Sequence, residues 1–156
     1  MSYIQEYQSV AIISCFSEKS TRSEVLETWI FGALFTLGES GQYCISKYEG
    51  KITDEELIPA YFAFYANNDV AVGLPELADL SLADYSRLSH IGLLGLAYWS
   101  DRLLQKRGIS AKKTAIYLSA GRDTTNALIY EVWKKGSPEI VRIFEDKDEA
   151  VRWLMK

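Results

Sequence analysis

Apolar and polar positions along the last two-thirds of the chain switch repeatedly between a period suited to strands and one suited to helices. Gln42–Ile52 (QYCISKYEGKI) is rich in strand formers, so the pattern predicts a strand there. Thr53 with Glu56 three residues later forms a capping box, and Asp54 and Glu55 suit the positive end of a helix. The helix that follows is predicted to reach about Ala66, with Pro59 kinking it or disturbing its first turn. Glu76–Leu80 reads as the next strand, with Pro75 ahead of it. Ser86 is then expected to cap a long helix over Arg87–Lys106, with Leu88, Ile91, Leu94, Ala97 and Leu104 on its apolar face. Gly92 and Gly95 within it imply a close approach to the sheet or to another helix. Lys106, Arg107 and Gly108 supply a basic last turn and a stop.

Lys113–Ser119 is a compact strand, apolar on both faces. GRDTTN then turns into the helix ALIYEVWKK, which Gly136 and Pro138 terminate. Ile140–Phe144 is the last strand, again read as apolar on both faces. Asp146 with Glu149 caps a final helix whose Ala150, Trp153 and Leu154 share one face, with the Trp153 ring expected to close the core. Strands apolar on both sides, alternating with helices, imply a parallel sheet covered by helices. The expected fold is therefore a single α/β domain with a four- or five-stranded, mainly parallel sheet flanked by helices.

The first 41 residues are ambiguous. SVAIISCF reads as a strand. Thr21 and Glu24 form a capping box, and apolar residues at 25, 26, 29, 30, 33, 34 and 37 have helical spacing up to Gly38. Trp29–Leu37 can instead be a strand, hairpinned through GESG to the strand at 42–52. The local pattern favours the helix.

At 156 residues the chain can bury a substantial core, and its 48% apolar and 24% charged composition is that of a soluble globular domain. Four Trp, ten Tyr and six Phe point to a dense core or an apolar contact surface. The net charge of −4 and the lack of a basic run give no nucleic-acid footprint. Cys15 and Cys44 form no CxxC; they allow one disulfide, but are read as buried thiols of a cytoplasmic protein. The N-terminus has no basic n-region, and the apolar run Trp29–Phe35 is far shorter than the ~20 residues of a membrane span.

Four segments resemble the STAS-like family, which includes the anti-sigma-factor antagonists. They are YEGKITDEELIPA, PELADLS, KTAIYLSAGRD and VRIFEDKDEAVRWL. The chain looks closest to a branch of small bacterial α/β proteins related to lipid-transfer CRAL-TRIO domains. The resemblance covers residues from about 42 onward, and it implies that Trp29–Leu37 is a hairpin strand. Residues 29–156 would then form the domain and residues 1–28 an N-terminal extension. In the antagonists a Ser or Thr at the start of the helix after the "DLS" strand is phosphorylated, which implies Ser86 or Ser89 here. The family's D-S-S-G-L reads R-L-S-H-I in this chain, with Arg87 and His90 in place of Asp and Gly.

His90 is the one histidine, which excludes most His-dependent triads and multi-His metal sites. There is no nucleophile elbow, Walker loop or dinucleotide fingerprint. The expected chain is non-enzymatic, with no cofactor and no metal. The expected function is that of a regulatory or interaction module, through a protein partner met at Ser86, Ser89, His90 and Ile91; Ser86 also reads as a plain helix cap. The alternative is a carrier for a small apolar ligand, with Tyr61, Phe62, Phe64 and Tyr65 shared between the core and either a pocket or a homodimer surface. A further ligand edge is expected where Asp79 and Ser81 end one strand and Ser119, Arg122 and Asp123 follow another.

Overall fold

The computed structural model describes residues 28–30, 33–37, 41–67 and 72–156. Among the described residues six strands form one sheet in the order β1-β2-β3-β4-β5-β6. These are β1 (Thr28–Ile30), β2 (Ala33–Leu37), β3 (Cys44–Thr53), β4 (Glu76–Arg87), β5 (Lys112–Tyr117) and β6 (Glu139–Phe144). β3 to β6 run parallel, as the alternating pattern requires, and β1 and β2 add an antiparallel hairpin along β3. The helices are α1 (Asp54–Asn67), α2 (His90–Lys106), α3 (Thr125–Trp133) and α4 (Lys147–Leu154). Neighbouring parallel strands laid down in one direction by right-handed crossovers put α1, α2 and α3 on the same face. The main core lies there, and α4 covers the other face through Ala150 and Leu154 against Leu77 and Ala115.

The local helix signal at residues 29–37 loses to strand pairing. β2 runs from Ala33 opposite Tyr48 to Leu37 opposite Cys44, and so covers an edge that β3 would otherwise leave open. The strand expected in SVAIISCF, the helix start at Thr21, Cys15 and, but for Thr28, the extension at residues 1–28 lie outside the described residues.

β4, at 12 residues, is more than twice as long as the expected Glu76–Leu80. It continues past Leu80 because its second half pairs with β3, from Glu49 opposite Leu82 to Thr53 opposite Arg87, while β5 accompanies it only to Asp79 opposite Tyr117. Ser86 is therefore a strand residue, and the cap of α2 is Ser89, whose side chain accepts from Gly92 N–H. The apolar face of α2 is also rotated. Its buried residues include Leu93, Leu96, Ala97 and Leu104, while Ile91 is 83% and Leu94 52% exposed. A strict spacing of three drifts by about 60° per step around a 3.6-residue helix, so the set Leu88-Ile91-Leu94 could not stay on the core face.

The two glycines of α2 form a seam with α1. A Cβ at Gly92 would come within 2.6 Å of Asp54 Oδ2, and one at Gly95 would meet Ile58 Cδ1 at 3.8 Å. One turn further on, Phe62 meets Trp99 edge-on at 4.8 Å. Elsewhere the terminators act as expected: Gly108 (φ +68°) ends α2 and Gly136 (φ +87°) follows α3. Pro59 lies inside α1. Glu149 N–H donates to the Asp146 cap at 2.7 Å. β6 is an edge strand, so Ile140 stays 52% exposed and only one of its faces is well covered. The Trp153 ring is half-buried against Phe144 at 5.6 Å, with the Lys113 and Arg142 cations each 5.4 Å from its centre.

Candidate functional site

Between the sheet and the three helices of its main face lies a cavity of about 80 Å³. Leu57, Leu80, Leu93, Leu96, Ile116 and Leu118 form its apolar walls. Towards the amino edge of the sheet it meets Glu76, Thr114, Tyr130 and Glu139. Towards the carboxyl edge it meets Tyr85, Leu88 and Asn126. Those three residues also line a second, outer cleft of about 390 Å³, completed by Asp84, Ser86, His90, Arg122, Asp123 and Thr125. An inner apolar chamber thus adjoins an outer polar one.

The inner end holds two buried glutamates that the sequence reading passed over. Glu76 accepts from Ser46 Oγ at 2.6 Å and Tyr65 Oη at 2.5 Å, and Lys112 Nζ lies 3.4 Å away. Glu139 accepts from Ser100 Oγ at 2.6 Å and Thr114 Oγ1 at 2.5 Å, and pairs with Lys134 Nζ at 2.8 Å. Burial alone would raise the Glu139 pKa, but the Lys134 and Lys112 ammoniums and the hydrogen bonds hold it below the ordinary value. Burial pushes the hydroxyls of Tyr61, Tyr65 and Tyr130 well above their usual pKa, and the nearby carboxylates add to this. A signal was present: both glutamates follow proline at the start of a strand, as Pro75-Glu76 and Pro138-Glu139. Each proline carbonyl accepts from the first N–H of the neighbouring strand, Cys44 at 2.8 Å and Lys112 at 3.0 Å.

Around the start of α2 the residues have distinct placements. Ser89 donates through its N–H (3.0 Å) and Oγ (2.5 Å) to the Asp54 carboxylate, which ties the two helix starts together. Ser86 is exposed, and its N–H donates to Asp84 Oδ1 at 3.1 Å. His90, the first residue of α2, borders the outer cleft. Ile91 points away from the core, and with Leu94 and Tyr98 (57% exposed) it makes an apolar stripe on the outside of α2.

The edge expected from Asp79, Ser81, Ser119, Arg122 and Asp123 is divided. Asp79 is buried and turned to its own turn and to α4. It accepts from Ser81 N–H (3.1 Å) and Oγ (2.6 Å) and pairs with Lys147 at 3.1 Å. Burial raises its pKa, but these bonds outweigh that and leave it below the usual carboxylate range. Ser119 Oγ donates to Ser81 C=O at 3.3 Å, so these two do meet. Arg122 and Asp123 belong one step further out, on the extension of β4. Arg122 donates to Ala83 C=O, and Asp123 C=O accepts from Tyr85 Oη. Asp123 Oδ1 also accepts from Thr125 N–H at 2.9 Å and Oγ1 at 2.6 Å, as a residue capping its own turn. Because β4 runs to Arg87, the cleft at this edge is lined by Asp84–Ser86 opposite Arg122–Asn126 and not by Asp79. Among the described residues no group of three or more His, Cys, Asp or Glu side chains could hold a metal ion. Among them, too, no helix is long and apolar enough to cross a membrane.

Among solved structures the chain is similar to an uncharacterised protein of the DUF3478 family with a SpoIIAA-like fold from Shewanella loihica PV-4. The two are 23% identical, the match covers 85% of this chain and 98% of that one, and the TM-score is 0.52. The fold is STAS-like. No family model matches the chain, and no curated protein matches it. The STAS-like resemblance in the four short sequence segments therefore agrees with the three-dimensional comparison on fold.

Proposed function

We propose that this STAS-like domain is a non-enzymatic regulatory module that binds a protein partner through the outer face of α2. The observation that carries the reading is the stripe Ile91-Leu94-Tyr98, whose large apolar side chains stand 83%, 52% and 57% exposed on one helix. The partner's chemistry follows from the rim. Asp101, the single acid of α2, pairs with Lys134 at 2.5 Å, while Arg102 and Lys106 are exposed and neighbouring Arg87 and Arg107 are exposed too. An apolar patch bordered by acidic side chains fits such a surface. Ser89 is the better placed of the two candidate phosphoacceptors. A phosphoryl group there would bring about −1.5 to −2 charge against the Asp54 carboxylate and part the starts of α1 and α2. Ser86 bonds Asp84 within its own strand, so modification there would not move α2.

The test is capture of a partner by the wild-type domain and by Ile91→Asp and Leu82→Asp variants. Leu82 is 60% exposed on the sheet and serves as the control surface. Loss with Ile91→Asp alone, at unchanged urea stability, supports the α2 face. Equal capture by all three proteins sinks it.

A second reading is favoured by a separate observation. The 80 Å³ chamber in the core, with its apolar walls, suits a carrier or sensor of a small apolar ligand. Gas chromatography of an organic extract of the purified protein checks this. A clean extract from protein that also takes up no apolar dye would remove the carrier reading and leave the partner reading intact.

A further inference from the structure

The two chambers share Tyr85, Leu88 and Asn126 and so adjoin, which makes the outer cleft the nearest space for the end of a ligand longer than the inner cavity. The inner chamber offers little to a polar group. Its glutamates are already held by Ser46, Tyr65 and Lys112 on one side and by Ser100, Thr114 and Lys134 on the other. Among the described residues no buried side-chain nitrogen or oxygen lacks a partner. A hydrocarbon tail entering there displaces no hydrogen bond, whereas a charged end of either sign would lose its water and find every carboxylate and ammonium already paired. The tail therefore goes in and the head stays out.

The outer cleft then sets the head. Its lining carries Asp84 and Asp123 against Arg122. Both carboxylates are held charged, with pKa values lowered chiefly by hydrogen bonds from Ser86 and Thr125 respectively. The starts of α2 and α3 border the same cleft through His90, Thr125 and Asn126. Each helix start is equivalent to roughly half a positive charge. Two negative charges, one positive charge and two half-charges come to about zero, so the cleft has no net preference for an ion. It is nonetheless rich in hydrogen-bonding groups. Arg122 spends a guanidinium N–H on Ala83 C=O, and Asn126 spends its amide N–H groups on Tyr85 and Leu88 carbonyls at 3.2 and 3.4 Å. Asn126 lines both chambers, and Arg122 lines the outer one beside it.

From this juxtaposition we infer that the site takes an uncharged amphiphile, with a short hydrocarbon tail in the inner chamber and a hydroxyl-bearing head in the cleft between Arg122 and Asn126. The inference rests on the carrier reading and narrows its ligand class. It is tested on the full chain with three probes of one tail length, 1-hexanol, hexanoate and hexylammonium, by NMR titration at neutral pH. The alcohol binds about tenfold more tightly than either ion, the cost of leaving one head-group charge unmatched. It shifts the methyl signals of Leu93, Leu96 and Ile116 together with the amides of Arg122 to Asn126. Ala127→Phe, which fills the chamber from α3, weakens the alcohol at least about tenfold while leaving distant amides in place. Ala78→Leu asks the same from the sheet side should Ala127→Phe fail to fold. Tighter binding of hexanoate or hexylammonium overturns the uncharged head but leaves a carrier. No binding by any probe overturns both. Shifts insensitive to the filling variants overturn the inner chamber as the site.

Discussion

A methyl group at Gly92 would stand within 2.6 Å of Asp54 Oδ2, in a place held by the two Ser89 hydrogen bonds. Gly92→Ala should therefore destabilise the domain by about 1–3 kcal/mol, although alanine is the better helix former. The cause is separable. In an Asp54→Ala background the same substitution should cost much less, and urea unfolding of the four proteins of the cycle measures the difference. Equal costs in both backgrounds would show that the seam does not depend on this contact. Cys44 carries a second residue-scale prediction. Burial first, and then the Glu76 carboxylate, pushes its thiol up to about 12, so almost none of it is thiolate at pH 8. Peptide mapping after iodoacetamide treatment should find Cys44 unmodified in the folded protein and modified in urea. Rapid labelling of the native protein would contradict the buried placement.

At the scale of elements, α2 shows how a sequence pattern can mark the right helix and the wrong face. Leu93 is 5% exposed and its neighbour Leu94 52% exposed. Leu93→Ala should cost about 2–5 kcal/mol and Leu94→Ala at most about 0.5 kcal/mol, read as a difference in urea midpoint. Similar losses would mean that the helix is rotated from the position described. The elements that were legible are those whose signals are local: the Thr53–Glu56 and Asp146–Glu149 caps, the glycine stops after α2 and α3, and the two-sided apolar run of β5. What was not legible depends on partners distant in sequence. Residues 33–37 have helical spacing, yet the free edge of β3 takes their backbone. Ser86 looks like a helix cap, yet pairing with β3 as far as Thr53 keeps it in a strand. The alternation of buried Ala83 and Tyr85 with their outward neighbours was the available clue. The site suffered from both effects. Ser89, His90 and Ile91 do lie around a helix start, but the inner chamber is walled by side chains from four strands and three helices, which no single stretch reveals.

For the molecule as a whole, the buried hydroxyls and thiol predict an asymmetric response to pH. Tyr48, Tyr61, Tyr65 and Tyr130 all have pKa values raised by burial, and Cys44 joins them. A group whose folded pKa lies above its unfolded value contributes stability that is complete below the unfolded pKa, about 8.5 for Cys and about 10 for Tyr. That stability is lost as pH rises toward the folded value, because the unfolded chain releases protons that the folded one retains. On the acid side the sign reverses: Asp79 and Glu139 are depressed, so their contribution is present above about pH 4 and disappears as pH falls through their folded values. The domain should thus be most stable between roughly pH 5 and 8 and fall steeply above pH 10, each buried tyrosine adding a slope on the order of 1 kcal/mol per pH unit. Tyr130→Phe isolates one share. Its hydroxyl stands 3.5 Å from Glu139 Oε2, a long contact whose loss is cheap at pH 8. The variant should therefore be no more than slightly weaker than wild type at pH 8 and relatively stronger by pH 11. Urea unfolding of both proteins at pH 8, 10 and 11 decides it. Parallel curves for the two, or no loss of stability by pH 11, would mean that the tyrosines at the inner end of the chamber are open to water, and the separation of an apolar interior from a polar cleft would go with them.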